Sequence, residues 1–221
     1  MEKPHSYPVV LMALFAAAIS CEASPQVPSG PSAADTPAPI IVALGDSITA
    51  GYGLKPDESY PALLQHRLSA SGYRHQIVNA GVSGDTSARA LRRLDAALVP
   101  DTRILMVALG ANDGLRGIPP QTLESNLLGI IERAQARGID VLLCAFEAPP
   151  IGGFEYTLAF HAVFMRLSDK YHVTPVPFMM IGVVGHPEMT LSDRLHPNAA
   201  GARLIAERLW PYLEPLLQTT R

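Results

Sequence analysis

Gly45-Asp46-Ser47-Ile48-Thr49-Ala50-Gly51-Tyr52-Gly53 directly follows the apolar run Ile40-Ile41-Val42-Ala43-Leu44. Five consecutive apolar residues, bounded by glycine, read as a short strand buried on both faces. A serine just past such a strand, between flexible glycines, sits where an open α/β sheet exposes its carboxyl edge to ligands. Serine and glycine also mark ordinary strand-to-helix turns, so the stretch by itself does not separate catalysis from connection.

Outward from it, strand and helix patterns alternate. Leu63, Leu64 and Leu68 have helical spacing within Tyr60 to Ser71, with Pro61 in the first turn and Gly72 at the end. Gln76 to Asn79 reads as a second strand, followed by the glycine-bearing turn Ala80 to Asp85. Thr86 is placed to cap a helix carrying Ala90, Leu91, Leu94 and Leu98 that stops at Pro100. Ile104 to Leu109 is a third strand, ended by Gly110-Ala111-Asn112-Asp113-Gly114, and Gln121 to Arg137 a helix closed by Gly138. Asp140 to Cys144 is a fourth strand, and a loop rich in proline and glycine runs from Phe146 to Phe154. Tyr156 to Tyr171 reads as a helix, and Val173 to Val176 as a short strand whose Pro175 implies a sheet edge. A last amphipathic helix spans Ala199 to Leu217, with interruptions expected at Pro211 and Pro215. Alternation of this kind predicts a three-layer α/β/α sandwich, flavodoxin-like, with a five-stranded parallel sheet in the order 2-1-3-4-5. In a parallel sheet all strand-to-helix loops share one rim. Ser47, Gly84, Asn112, the Phe146–Phe154 loop and the segment before the last helix should therefore converge.

The whole chain of 221 residues is 48% hydrophobic and 17% charged, which suits a compact domain plus accessory sequence. A net charge of −3 without a basic run argues against a nucleic-acid partner. Cys144 ends an apolar strand and reads as a buried thiol, while Cys21 follows the apolar segment Val9 to Ile19. A disulfide between them is not expected, and no metal-ligand spacing such as C-x-x-C occurs.

Val9 to Ile19 is too short to span a bilayer but suits the core of a signal peptide. Ala18-Ile19-Ser20-Cys21 resembles a bacterial lipobox, with alanine where leucine is commonest. The resemblance implies a lipoprotein-type signal peptide over residues 1–20 and lipidation of Cys21. Glu22 in place of aspartate points to the outer membrane on the periplasmic side. Cleavage after Ala23, releasing a soluble periplasmic or secreted protein, is one alternative; a hydrophobic tail with an incidental cysteine is another. Residues 21–39 are rich in proline and serine and read as an extended linker, at about 3 Å per residue.

Among the rim loops, Leu191-Ser192-Asp193-Arg194-Leu195-His196-Pro197-Asn198 carries a candidate base, His196, with Asp193 three residues before it. Within one turn such a carboxylate can orient the imidazole and stabilise its protonated form. The same spacing also fits a cap for the last helix. The Ser47 and Gly84 backbone N–H groups and the Asn112 side-chain amide are candidate oxyanion donors; a plain turn glycine and an Asx turn are the competing readings of Gly84 and Asn112. Asp46 and Asp113 flank the site, where turn stabilisation and metal binding compete, and Asp85 is placed to order the Gly84 turn. His66, His75, His161, His172 and His186 are alternative bases, without so well-placed an acid in sequence.

Gly45-Asp46-Ser47, Gly84 within Asn79 to Ser87, Gly110-Ala111-Asn112-Asp113 and Asp193-Arg194-Leu195-His196-Pro197 resemble, in order, the four blocks of the SGNH (GDSL-type) hydrolases. The match covers Ile40 to Leu217 and makes residues 40–221 the hydrolase domain. Gly84-Asp85-Thr86-Ser87 and Asn112 to Gly117 are similar to the bacterial branch described as arylesterase, thioesterase I, protease I or lysophospholipase L1. The resemblance implies a Ser47–Asp193–His196 triad, an oxyanion hole of Ser47, Gly84 and Asn112, and no metal or organic cofactor. The pattern is not that of an α/β-hydrolase. It lacks the second glycine of G-x-S-x-G, and its acid is local to the histidine.

An acyl groove is expected between loops carrying Leu115, Ile118, Pro149, Pro150, Ile151 and Phe154, unless these residues only pack the loops together. The expected activity is hydrolysis of carboxylic esters or thioesters with acyl, aryl or lysophospholipid-like groups. A carbohydrate deacetylase on the same fold and a non-catalytic lipid-anchored binding module are the alternatives.

Overall fold

The computed structural model describes residues 37–219, with the side chains of Ile151 and Thr219 excepted. Cys21 and the apolar run before it lie outside the described residues.

Five parallel strands form one sheet in the order β2-β1-β3-β4-β5, over Gln76–Gly81, Ile40–Gly45, Thr102–Ala108, Asp140–Cys144 and Thr174–Val176. Central β1 and β3 have neighbours on both sides and helices over both faces, so Ile41 to Leu44 and Ile104 to Ala108 are fully buried. β2 and β5 are the edge strands. Pro175 in β5 has a strand neighbour, Leu143, on one side only, and at such an edge a missing N–H costs least.

The helices fall into two layers. α2 (Tyr60–Ala70) packs on α7 (Ala199–Thr219), while α3 (Ser87–Ala97), α5 (Pro120–Gln135) and α6 (Phe154–Tyr171) pack in sequence. Right-handed crossovers account for this division, because the step from β1 to β2 runs opposite to the later steps. The expected three-layer fold, with its strand order, is the one observed.

Two short helices at the rim were not expected, α1 (Ser47–Ala50) and α4 (Ala111–Leu115). Each is too short to show a periodic apolar pattern. α7 also differs from expectation, since it continues through Pro211 and Pro215. The two prolines lie four residues apart on its exposed side, as does Glu207. The carbonyls of Glu207 and Pro211, which lose their donors to the proline rings, therefore face water.

The strand that leads to the site ends in very close packing. A Cβ on Gly45 would overlap the Thr49 hydroxyl, and one on Gly81 would overlap the Ala50 backbone. Asn79 secures the same contact, donating from Nδ2 to the Thr49 carbonyl at 2.8 Å and accepting from the Gly81 N–H at 2.9 Å. Gly81→Ala is expected to cost about 3 kcal/mol of stability by overpacking and to displace α1. Gly72→Ala meets no atom within 4 Å and should cost only the about 1 kcal/mol of its left-handed backbone. Urea unfolding of the two variants measures the contrast.

Candidate active site

Ser47 opens α1 immediately after β1, and Asp46 caps that helix by accepting from the Ile48 N–H at 3.0 Å. The serine is thereby set at the carboxyl edge of the central strand, 8% exposed. His196 arrives from the far end of the domain. Its loop is closed by a bridge between Thr190 and Pro197 and by a bond from the Leu191 N–H to the His196 carbonyl at 2.8 Å. Arg194 inside it adopts a left-handed backbone, φ 57°, uncommon for a side-chain-bearing residue. That turn brings Asp193 back onto the imidazole.

Asp193 Oδ2 lies 2.7 Å from His196 Nδ1, and His196 Nε2 lies 2.8 Å from Ser47 Oγ. A carboxylate only accepts, so Nδ1 carries the proton, Nε2 is the acceptor, and the serine hydroxyl donates to it. Asp193 Oδ1 accepts from the Leu195 and His196 N–H groups at 2.9 and 3.0 Å. The helix cap, the competing role for Asp193, is supplied by Asn198 instead. Its Oδ1 accepts from the Ala200 and Gly201 N–H groups, and its Nδ2 donates to the Glu188 and Thr190 carbonyls.

An acid partner alone does not distinguish His196. His161 Nδ1 is 2.6 Å from Glu147, and His186 Nδ1 is 3.2 Å from Glu188. These contacts were not foreseen, because neither depends on a local D-x-x-H spacing. What sets His196 apart is the hydroxyl on its second nitrogen. Tyr52, a further residue the sequence pattern missed, lies over the His196 ring at 4.5 Å between centroids.

Ser47, Gly84, Asn112 and His196 line one cavity of about 210 Å³, together with Ser83, Tyr52 and Leu195. Gly84 has φ 79°, and its carbonyl accepts from Arg116 at 3.0 Å. Asn112, in α4, donates from Nδ2 to Asp46 Oδ2 at 3.1 Å. Asp113 accepts from the Ser87 N–H and hydroxyl at 2.8 and 2.6 Å, which holds the start of α3 against α4. Asp85 pairs with Arg93 at 2.6 Å, and Arg93 donates onward to the Gly45 carbonyl at 3.1 Å. All three acids are spent on positioning loops.

A second cavity of about 320 Å³ adjoins the first and shares Ile48, Ala111, Leu115 and Leu195 with it. Of the expected groove residues, Leu115, Pro149 and Pro150 line it. Ile118 and Phe154 do not. The Ile118 carbonyl accepts from the Tyr156 hydroxyl at 2.9 Å, and Phe154 begins α6 with 78% of its surface exposed. The side chain of Ile151 lies outside the described residues. Phe146, Glu147 and Ala148 add to this cavity's wall from the loop after β4, and Phe178, Met180 and Val184 add to it from the loop after β5, which carries no motif and is brought there by the sheet.

Burial raises the Asp46 carboxyl to about 6, against the Ile48 and Asn112 hydrogen bonds. Asp193 moves the other way. The His196 and Leu195 backbone N–H groups, then the imidazole, hold it at about 2. An acid whose folded value lies below its free value of about 3.9 contributes stability above about pH 4 and loses it as pH falls toward 2. Asp193→Asn is accordingly expected to be less stable than the parent at pH 7. That difference should shrink below pH 4 and vanish near pH 2, as urea midpoints across the range will show.

A hydroxyl, an imidazole and a local carboxylate in series, on the carboxyl edge of a flavodoxin-like sheet, define a serine hydrolase of the class in which acid and base share one loop. Residues 43–204 match the model of the GDSL-like lipase/acylhydrolase family, and the chain belongs to that family; it is a carboxylic ester hydrolase. Esterase TesA of Pseudomonas aeruginosa is 42% identical over 178 residues, covering 80% of this chain and 89% of that protein. Thioesterase 1/protease 1/lysophospholipase L1 of Escherichia coli K12 is 36% identical over 187 residues, covering 84% and 86%. The crystal structure of the psychrotrophic esterase EstA from Pseudoalteromonas sp., inhibited by monoethylphosphonate, superposes with a TM-score of 0.77 at 33% identity, over 81% of this chain and 98% of that one.

Proposed function

We propose that Ser47 is the nucleophile of a two-step acyl transfer, with His196 as base and Asp193 as its orienting acid. The observation that carries this reading is the unbroken series from Asp193 through His196 to the Ser47 hydroxyl, at 2.7 and 2.8 Å, opening onto the first cavity, which the apolar second cavity adjoins. His196 Nε2 takes the Ser47 proton as Oγ attacks the acyl carbon. The resulting oxyanion is held by the Ser47 and Gly84 N–H groups and the Asn112 amide. His196 then passes that proton to the leaving alkoxide or thiolate, and the acyl group remains on Ser47. Water, deprotonated by His196, attacks the acyl-enzyme; the proton returns to Oγ as the acid departs.

The second cavity is the acyl site in this reading. Leu115, Phe146, Pro149, Phe178, Met180 and Val184 are its apolar walls, and apolar walls reward length in the acyl chain. The substrates are acyl or aryl esters, thioesters and lysophospholipid-like lipids. The protein is exported, and Cys21, following Ala18-Ile19-Ser20, carries a lipid that anchors it on the periplasmic side of the outer membrane.

A fluorophosphonate probe should label the folded protein and fail to label Ser47→Ala; a folded parent that does not label overturns the nucleophile assignment. Across a series of p-nitrophenyl esters, kcat/KM should climb from acetate by about fourfold per methylene, the equivalent of about 0.8 kcal/mol, until the cavity is full. Activity confined to acetylated sugars would place the enzyme among deacetylases instead. In bacteria fed labelled palmitate, Cys21→Ser should abolish incorporation. Unchanged label would remove Cys21 as the attachment site.

A further inference from the structure

The buried carboxylate of Asp46 touches neither Ser47 Oγ nor His196 through any hydrogen bond, yet it lies in the wall of the catalytic cavity, 1% exposed. Both of its oxygens are committed. Oδ1 accepts from the Ile48 N–H, a backbone group of the first turn of α1, and Oδ2 accepts from Asn112 Nδ2. A carboxylate is acceptor-only, whereas the Asn112 side chain offers an NH₂ on one branch and a carbonyl on the other. The two branches have nearly the same shape. Packing alone therefore does not select which faces the cavity; a charged acceptor does.

We propose that Asp46 is a positioning residue that sets the polarity of the oxyanion hole by fixing the orientation of the Asn112 amide. One Nδ2 hydrogen is held by Asp46, which leaves the other for the substrate oxygen. With the amide reversed, Oδ1 would take the place of Nδ2, meeting the Asp46 carboxylate on one side and the oxyanion on the other. Like-signed oxygens repel in both contacts. This inference rests on the assignment of Asn112 as an oxyanion donor, and deepens it.

Asp46→Asn is the informative substitution because it preserves size and removes only charge and acceptor character. The Ile48 N–H still needs an acceptor and recruits the new amide oxygen. The new NH₂ then faces Asn112 and favours the reversed amide, whose carbonyl points at the developing negative charge. The burial that raises the Asp46 carboxyl to about 6 is opposed first by the Ile48 and Asn112 bonds, then by His196, while Asp113 adds to it. His196 and Asp113 are the charged side chains that act on this carboxyl.

The experiment is a double-mutant cycle on ester hydrolysis with D46N, N112A and the pair. N112A is expected to lower kcat by roughly 10²-fold or more, the usual loss for one oxyanion donor, with KM little changed. D46N should lower kcat by a similar factor, again with KM held, and should cost less than about threefold in the N112A background, because interacting residues are not additive. A D46N enzyme near parental kcat beside a crippled N112A overturns the proposal and leaves Asn112 as donor. Losses that multiply in the pair overturn it as well, since Asp46 would then act elsewhere. An N112A enzyme of full activity removes both the donor assignment and this inference. If D46N does not fold, the side-chain amide of Asn112 reports the contact by ¹⁵N NMR in an H196A background. Its resonances should shift as Asp46 titrates, at a pH above the parent's value of about 6 because His196 no longer lowers it, and an amide unmoved from pH 4 to 8 overturns the proposal.

Discussion

The carbonyl oxygen of Gly45, the last group of the central strand, accepts from the Val82 N–H at 3.0 Å and from the Arg93 guanidinium at 3.1 Å. The rest of the site depends on that point. The first bond continues the pairing of β1 with β2 one step beyond the strands and fixes where the Gly84 turn begins. The second ties the same atom to Asp85, on the other side of that turn. Ser47 follows two residues later, so the serine and the Gly84 loop are hung from one backbone group. The close approach of α1 to β2 is possible only because Gly81 has no side chain to separate them.

Around this point, acidic side chains do work that is usually left to apolar packing. Asp46 joins the serine turn to α4, Asp113 joins α4 to the start of α3, and Asp85 joins α3 back to β1 through Arg93. Burying carboxylates is costly, and Asp46 and Asp113 both have their acidity weakened by desolvation. Directional bonds return what oil-like packing cannot, namely a fixed angle for each loop. A site that stabilises a transient oxyanion needs donors already aimed before charge appears. Asp193 is the contrasting case. Exposed and bonded by two backbone N–H groups, it remains ionised and orients the imidazole without a large burial cost.

Much of this was legible in the residues. Alternating apolar runs and helical periods led to the sheet order, and the four short blocks led to Ser47, Gly84, Asn112, Asp193 and His196. What escaped had no local signal. Tyr52 meets the His196 ring, tilted against it, from the opposite end of the domain sequence. Phe178, Met180 and Val184 reach the second cavity from a loop with no periodicity, whereas Phe154, apolar and close in sequence to that cavity, turns outward at the start of a helix. α7 ran through two prolines because the helix turned both to solvent, a matter of facing that a breaker rule does not weigh.

By itself, then, the sequence determined the fold class, the order of the strands and the identities of the chemical groups at the rim. Hydrophobic periodicity and chain handedness act locally or between successive elements, and both can be read along one dimension. Only the tertiary structure decided which of the histidines beside a carboxylate also meets a hydroxyl, which apolar side chains wall the second cavity, and what Asp46 holds. Those are matters of which atoms share a few ångströms after long-range closure. Asp46 shows the difference well: as a letter between glycine and serine it has no evident task, and as a buried acceptor between Ile48 and Asn112 it has two.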